Sequence, residues 1–342
     1  MTGIAARLPS GMDLRWFGTG WPLALDFAGR RLRSEISREP AHVHFTERAG
    51  LLAALDEEVA TADVVHLVGW GTARLARRVA PVPAVHYAVD PWASSSGNRR
   101  LSRLRRLVDS GERAKIAAHE RRYYPDAVSV VLVAAADAEQ LRAEVPDVVV
   151  DVVPNGVEPG PPPAPLPCAP IIGFHGAFET QANVDAAVVL VEQVLPRVRA
   201  QLREATVLLV GRAPSAQVQA LASRPGVELR ADVLSVRAEL ERMAVHVSWM
   251  PSGRGQKNKV LEAMAAARPV VVNERGASGI GAGDGIHVAA SLDAAADEVV
   301  RLLRSPAEAA AMGSAGRQRV LREFTWAASA AGIERIWQRA VS

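Results

Sequence analysis

Cysteine and aromatic residues are scarce in this sequence. Its 342 residues include one cysteine, Cys168, and the aromatic residues make up 5%. One thiol cannot close a disulfide within the chain, which favours a reducing compartment, and the flanking prolines indicate a linker position and not a nucleophile. Aromatic rings do not interleave with basic residues as they do in surfaces that bind single strands. We therefore expect no nucleic-acid partner.

Long apolar runs and a large net charge are also absent. No run reaches the ~18 apolar residues of a spanning helix, and the first residues, MTGIAARLPSGMDL, show no apolar core of a signal peptide. The 40 basic and 37 acidic residues leave a formal net charge of only +3. The sequence therefore predicts a cytoplasmic protein, with at most a peripheral contact at the inner face of the membrane.

Metal-ligand spacing is missing as well. His42 and His44 would share one face of a strand, but no third ligand stands at a matching distance. No other cluster of histidine, cysteine, aspartate and glutamate has the spacing of a metal site. We therefore expect no metal ion.

What the sequence does contain is a regular alternation of short apolar runs with helix-forming segments. Continuous apolar runs suit strands that are buried on both faces of a parallel sheet, and their alternation with helices indicates βαβ units. The predicted strands are 13–18, 42–45, 63–69, 84–90, 129–135 and 147–153 in the first half, and 171–176, 206–211, 227–231, 245–250, 269–274 and 286–290 in the second.

The segment PNGVEPGPPPAPLPCAP, 154–170, separates the two halves. Eight prolines in 17 residues make it a stiff connector, because proline fixes its own φ and cannot donate to a sheet. The prediction is an α/β protein with two doubly wound domains that face each other across a cleft. Ligands are expected at the carboxyl ends of the strands.

The stretch GRGQKNKVLEAMA, 253–265, leads from a predicted strand into a predicted helix. Unpaired N–H groups and the dipole at a helix N-terminus favour negative charge by about 0.3–1 kcal/mol per charge. Arg254, Lys257 and Lys259 lie at or just before this end, which suits cations only if they share an anion such as a diphosphate. The alternative is that all three side chains are solvated.

Two further strand ends carry small residues. IIGFHGAFETQANVDAA passes from Gly176 into a helix near Asn183, and TVLLVGRAP ends a strand at Arg212. Small residues let a ligand approach the backbone, and the next helix N-terminus offers N–H groups to an anion. A plain turn and a solvated arginine are the alternatives, and His175 is either a ligand-facing or a structural histidine.

The second half resembles the donor domain of retaining nucleotide-sugar glycosyltransferases of group 1, which have the GT-B fold of two Rossmann-like domains facing across a cleft. The similarity is strongest to a family 4-like subgroup found with exopolysaccharide and exosortase loci. The stretches that carry it are VVPNGVE, GFHGAFETQANVDAA, VLPRVR, TVLLVGRAP, PGVELRADVLSVRAEL, KNKVLEAMAAARPVVV, GASGI and AGRQRVLREFTW.

The resemblance implies a hexosyltransferase that moves a sugar from a nucleotide-diphosphate sugar to a hydroxyl acceptor with retention. It also implies that no metal or other cofactor is needed. Two glutamates separated by seven residues line the donor site in this class. The second corresponds to Glu262, near the ribose, but Arg254 stands at the position of the first and is expected to decide which sugar is transferred.

The resemblance also implies the remaining site residues. Asp90, at the end of the run AVHYAVD, is closer than His86 to the place expected for a group beside the sugar. Residues 231–233 correspond to the loop that brackets the base. The implied catalytic set is Arg254, Lys259, Asp90 and Glu262, and the implied donor-binding set is Gly176, Asn183, Arg212, Asp232, Val233, Asn258, Lys259 and Glu262.

The first half resembles the family more faintly, so it defines the acceptor only as a glycan, a lipid-linked sugar or a small molecule. Gly18–Gly20 is the candidate for its glycine loop. The expected organisation is a first domain over 1–157, a linker over 158–170, a donor domain over 171–325, and a terminal helix over 326–342 that crosses back to the first domain.

Residues 97–124 contain nine basic and three acidic residues, with leucines at helical spacing. Such a helix either rests on anionic lipid or packs its apolar face on the sheet with its arginines in water.

Two other functions remain open on sequence alone. They are a GT-B nucleotide-sugar epimerase or hydrolase, and a nucleotide-sugar binding module without turnover.

Overall fold

The computed structural model describes residues 34, 38–40, 43–46, 49–91, 93 and 103–342. The predicted strand 13–18 and the candidate loop Gly18–Gly20 lie outside these residues. Ten parallel strands form two sheets in the described part, one from each half of the chain.

The first sheet has four strands in the order β1-β2-β3-β4, all parallel. Each crossover connection places the next strand beside the preceding one and in the same direction, so the sheet grows at one edge. The strands are β1 (Val65–Val68), β2 (Ala84–Val89), β3 (Ser129–Leu132) and β4 (Val150–Val152), and the helices are α1 (Ala49–Val59), α2 (Leu75–Val79), α3 (Arg103–Tyr123) and α4 (Ala135–Glu144).

The predicted strand 42–45 is wrong. Val43–Thr46 forms a turn of 3-10 helix, and the amide of Val43 donates to the carbonyl of Pro40 at 3.0 Å. Val43 is fully buried and packs with Ile116 of α3. A four-residue apolar run satisfies a buried turn as well as a strand, so its composition could not decide between them.

The second sheet has six parallel strands in the order β10-β9-β8-β5-β6-β7. This is the Rossmann order, and the direction of winding reverses between β5 and β8, where a crevice opens at the carboxyl ends. Its strands are β5 (Ile171–His175), β6 (Thr206–Gly211), β7 (Val227–Ala231), β8 (Val245–Ser248), β9 (Val270–Val272) and β10 (Ile286–Val288).

Successive side chains of these strands enter separate apolar clusters on the two faces of the sheet. In β6, Val207 and Leu209 pack on one side, and Leu208 and Val210 on the other. Helices cover both faces, as a sheet of continuous valine runs requires. They are α5 (Gln181–Val189), continued by Leu190–Val194 into α6 (Leu195–Arg199), then α7 (Ala216–Leu221), α8 (Val236–Leu240), α9 (Asn258–Ala265), α10 (Leu292–Arg304) and α11 (Pro306–Glu323).

The proline-rich segment lies on the second domain and is held there by arginines. Arg237 donates to the carbonyls of Pro159 and Pro161, both at 3.1 Å. Arg317 donates to the Pro159 carbonyl at 2.7 Å. Proline offers a carbonyl but no N–H, so guanidinium donors are the matching partners. The segment is thus bound along its length and is not a free linker.

The last helix, α12 (Trp326–Val341), packs on the first sheet. Nε1 of Trp337 donates to Nδ1 of His66 at 3.0 Å, and Ile336 is buried against Val85 and Val153. The hydroxyl of Ser329 donates to the Pro154 carbonyl at 2.6 Å. The chain therefore returns to its first half after the second sheet is complete.

Within the basic segment of the first half, Arg103–Tyr123 forms α3. Its buried side includes Ile116, whereas Arg113, Arg121 and Arg122 are exposed. Contact of this helix with a membrane stays a prediction. Among the described residues, no helix is both long enough and apolar enough to cross a bilayer.

Candidate functional site

The site forms where the winding of the second sheet reverses. β5 ends at His175, and Gly176 follows it in the crevice. A Cβ atom at Gly176 would lie 3.0 Å from Cγ of Asn183 and 3.1 Å from Nζ of Lys259. Only a glycine fits this contact without displacing a neighbour. Three of the predicted donor-site residues therefore meet at one point, although they come from three separate stretches of the chain.

Lys259 has an unusual environment for a lysine. Its Nζ donates to Oδ1 of Asn183, whose Nδ2 in turn donates to the Ala177 carbonyl at 2.8 Å. The same Nζ lies 4.6 Å from the ring centre of Phe174. Burial, together with repulsion from Lys257, lowers the pKa of Lys259 to about 7. A bound anion would stabilise the charged form of Lys259, because a neighbouring negative charge favours the ammonium group.

Glu262 lies one turn further along α9. Nε2 of His175 is 2.7 Å from its Oε2, and this hydrogen bond lowers the pKa of the carboxyl group. The Glu262 side chain is 43% exposed. It is therefore an ionised acceptor that is fixed on one side and open to solvent on the other, as a hydroxyl-binding group needs to be.

The loop before α9 folds back on itself and contacts the first domain. Gly253 and Gly255 have φ of 104° and 68°, which only glycine adopts readily. Nζ of Lys257 donates to the carbonyls of Arg254 at 2.6 Å and Gly255 at 3.0 Å. Arg254 donates through Nη1 to Oε1 of Gln140 in α4. The three predicted cations therefore make separate contacts, and Arg254 reaches across to the other domain.

A second link across the two domains lies beside this loop. The backbone N–H of Asn155 donates to Oε1 of Gln256 at 2.7 Å, and Nε2 of Gln256 donates to the Asn155 carbonyl at 3.1 Å. Nδ2 of Asn155 also donates to Oδ1 of Asn258 at 3.3 Å. The predicted donor residue Asn258 is thus exposed at the start of α9 and is held by the segment that joins the domains.

The first domain brings two carboxyl groups to the loop. Asp90 follows β2, and Asp137 lies in the first turn of α4. Burial raises the pKa of both. Within the described part of the chain, Oδ1 of Asp90 and Oδ2 of Asp137 are buried without a hydrogen-bond partner. Val89 has φ 74°, a costly conformation for a β-branched residue, and such strain is typical of functional sites. His86, in contrast, is fully buried inside β2.

The remaining predicted residues lie at the ends of β6 and β7. Arg212 is exposed and pairs with Glu179 at 2.8 Å. Oδ1 of Asp232 accepts from the Ala213 amide at 2.9 Å, which ties the two strand ends together. Val233 is partly buried against the core. Leu234, the next residue, is fully exposed beside an open cavity lined by residues 229–235, 238 and 239.

Sequence reasoning missed several residues of the site. Phe174 beneath Lys259, His246 behind His175, and the first-domain pair Asp137 and Gln140 were not predicted. No local pattern marks them, because each matters through a contact with a residue far away in the chain.

In the described part of the chain, no group of three or more histidine, cysteine, aspartate or glutamate side chains is arranged to hold a metal ion.

Two parallel Rossmann-like sheets facing each other, with a terminal helix that returns to the first, define the GT-B fold. Residues 169–305 match the family described as "Glycosyl transferases group 1". The match covers less than half of the chain and shows that this part of the second half is similar to a group 1 glycosyltransferase domain. A comparison with curated protein sequences found no match.

Solved structures with the same fold include several glycosyltransferases. TarM is 14% identical with a TM-score of 0.68 over 85% of this chain and 57% of its own. The S. aureus TarM mutant in complex with Fondaparinux, alpha-GlcNAc-glycerol and UDP shares 14% identity and a TM-score of 0.62 over 84% and 58%. Sucrose-phosphate synthase of Thermosynechococcus elongatus shares 18% identity and a TM-score of 0.62 over 84% and 76%.

HepE of Anabaena, in complex with UDP and glucose, is 13% identical with a TM-score of 0.59 over 86% of this chain and 83% of its own. This chain spans less than two thirds of the two TarM structures. At these identities the similarity establishes the fold.

Proposed function

We propose that this protein transfers a sugar from a nucleotide-diphosphate sugar to a hydroxyl acceptor, with retention, during glycan assembly. The observation that carries the proposal is the position of Lys259. Its ammonium group lies at the start of α9, beside Gly176 and Asn183, where the winding of a Rossmann-type sheet reverses. A diphosphate bound there would accept hydrogen bonds from Lys259 and from the free N–H groups of the helix.

In the proposed reaction, the bond between the sugar anomeric carbon and the diphosphate oxygen breaks. A new bond to the acceptor oxygen forms on the same face, and the acceptor proton passes to the departing diphosphate. Lys259 stabilises the charge that develops on that diphosphate, an electrostatic contribution that is usually large. This proposal assigns the charge stabilisation to the protein's own cations and needs no metal ion.

We also propose the acceptor class and the subgroup. The resemblance to the exopolysaccharide-associated, family 4-like subgroup supports a glycan or lipid-linked acceptor. UDP is bound in both the TarM and HepE structures, with Fondaparinux and alpha-GlcNAc-glycerol in TarM and glucose in HepE, which is consistent with such partners. Arg113 and Arg121, which lie on neighbouring parts of the α3 surface, would then face an anionic membrane surface where a lipid-linked acceptor resides.

Nucleotide screening tests the proposal directly. One of UDP, GDP, ADP and dTDP should raise the melting temperature, and the corresponding sugar nucleotides should release their nucleoside diphosphate faster when a glycan acceptor is added. A binding module would show stabilisation without turnover, and a hydrolase or epimerase would turn over without dependence on the acceptor. Stabilisation by none of these nucleotides would refute the proposal.

Arg254→Ala should lower kcat/KM for the sugar nucleotide by about 10- to 100-fold while changing the Kd of the nucleoside diphosphate by less than about threefold. The reason is that Arg254 reaches Gln140 of the first domain, whereas the diphosphate would lie at Lys259. Gln140→Ala removes the partner of Arg254 and should reproduce part of the loss. A fall in nucleotide affinity as large as the fall in kcat/KM would show that Arg254 binds the diphosphate.

A further inference from the structure

Three side chains from three elements form one hydrogen-bonded row behind the cleft. His246 lies in β8, His175 ends β5, and Glu262 lies in α9. Nδ1 of His175 is 3.1 Å from Nε2 of His246, and its Nε2 is 2.7 Å from Oε2 of Glu262. The two histidines are 0% and 4% exposed, and the glutamate side chain is 43% exposed. The row therefore runs from the core of the sheet to the open site.

The proton positions in this row follow from charge and burial. Glu262 is ionised and can only accept, so Nε2 of His175 carries a proton. Burial keeps the pKa of His246 well below its ordinary value, so this ring is neutral and has a single N–H. Its Nδ1 has no partner within the described residues. A buried N–H without a partner is rarer than an unpaired acceptor, so the proton lies on Nε2 and points at His175.

Neither ring is free to turn. His175 is held at both of its nitrogens, and the ring of His246 stacks on Phe174 with centroids 6.3 Å apart. The two histidines also meet edge to face, with centroids 5.1 Å apart. Since β5 and β8 are paired in the sheet, the backbone beneath both rings is fixed as well. The row thus transmits the rigidity of the sheet to the Glu262 carboxylate.

A neutral imidazole suits this task better than a cation would. An arginine or lysine in its place would neutralise the carboxylate and compete with any ligand for its oxygens. The N–H of His175 fixes Oε2 and leaves the negative charge in place. Hydrogen bonds to an ionised acceptor are roughly twice as strong as neutral ones, so the charge adds to the binding of hydroxyl donors.

We propose that His175 and His246 are positioning residues, which orient the Glu262 carboxylate towards a vicinal diol of the bound nucleotide. The inference rests on the proposed function, because a ribose reaches Glu262 only when a nucleotide occupies the crevice. It adds two residues that touch no substrate but determine how tightly the diol is held.

Two substitutions at each position separate the two bonds of the row. The longer side chain of His175→Gln can place a donor near the position of Nε2, so it keeps the bond to Glu262 and loses the bond to His246. The shorter side chain of His175→Asn keeps the bond to His246 and loses the bond to Glu262. His246→Gln keeps a donor towards His175, and His246→Leu removes it. His287→Gln is the matched control, since His287 is a half-exposed histidine that faces Glu298 outside the row.

Calorimetry would compare the tightest binder among UDP, GDP and ADP with its 2′,3′-dideoxy counterpart. The wild type should prefer the ribonucleotide by about tenfold or more. His175→Asn should reduce this preference to within about threefold without weakening the dideoxy ligand, and His175→Gln should retain most of it. His246→Leu should fall between them, and His287→Gln should match the wild type. In a Glu262→Gln background, His175→Asn should have no further effect.

A preference that survives His175→Asn and His246→Leu would overturn the inference while nucleotide binding itself stands. Failure of every nucleoside diphosphate to bind would refute the proposed function instead. Nitrogen NMR of the ligand-free protein still tests the row in that case. Both rings should be Nε2–H tautomers with slowly exchanging protons, and Glu262→Gln should shift the His175 signals. Rapid exchange or an Nδ1–H tautomer would overturn the inference.

Discussion

Lys259→Met should lower kcat/KM for the sugar nucleotide by about 10²- to 10³-fold, which is the usual cost of removing one group that stabilises developing charge. Methionine keeps an apolar stem over Phe174 but has no donor for Asn183 or for a diphosphate. The Kd of the nucleoside diphosphate should also rise, because Lys259 would contact the diphosphate in the sugar nucleotide and in the product. Steady-state kinetics and calorimetry on the same preparation measure the two effects.

Lys115→Met is the matched control. The chain has three lysines, and Lys115 is the one that lies neither in the loop before α9 nor in α9 itself. Its Nζ donates to the hydroxyl of Ser34 at 3.2 Å. Its replacement should leave kcat/KM unchanged within about twofold. Thermal unfolding should show that Lys259→Met is no less stable than the wild type, since burial disfavours the Lys259 charge. A loss of kcat/KM below about threefold would contradict the assignment of Lys259.

The pKa of Lys259 also predicts how nucleotide affinity depends on pH. Because its pKa is lowered to about 7 in the free protein, much of the side chain is neutral at pH 8. Binding of a diphosphate restores the ammonium form and so takes up a proton. Affinity should therefore fall as the pH rises from 7 to 9, by at most tenfold per unit. Lys259→Met should lose this dependence.

Local patterns were sufficient for the second sheet. Each of its six predicted strands coincides with one of β5 to β10, because the apolar runs there are bounded by clear turns, and a helix separates every successive pair except β9 and β10. In the first sheet, 63–69, 84–90, 129–135 and 147–153 contain β1 to β4, but 42–45 became a buried turn. That run begins two residues after Pro40 and is only four residues long, so its packing partner decided its conformation.

The candidate site was less predictable because it depends on side-chain directions. The sequence places Arg254 on a loop before a helix, but the positive φ values at Gly253 and Gly255 turn the loop so that the side chain meets Gln140, which is 114 residues away. Likewise, His175 and His246 are 71 residues apart and meet only because β5 and β8 are neighbours. Periodicity carries no information about such contacts.

Arg268→Met should lower the free energy of unfolding by about 3–5 kcal/mol, comparable to breaking a buried charge interaction. Arg268 follows α9 and is 1% exposed. Its guanidinium donates to four backbone carbonyls, and methionine would leave all four without these donors in a buried setting. The acceptors are Ala266 at 2.9 Å, Glu241 at 3.2 Å, Met243 at 3.3 Å and Ala164 at 2.7 Å.

Urea denaturation should show this loss as a lower midpoint, and Arg268→Lys should recover little of it, because one ammonium cannot reach carbonyls that lie in several directions. Arg301→Met is the surface control. Arg301 pairs with Glu298 at 2.8 Å on the solvent-facing side of α10, where such a pair contributes at most about 1 kcal/mol. Since Ala164 belongs to the proline-rich segment, proteolysis within 159–164 should also accelerate in Arg268→Met. A loss below about 1 kcal/mol with unchanged proteolysis would mean that the prolines hold this segment in place without the arginine.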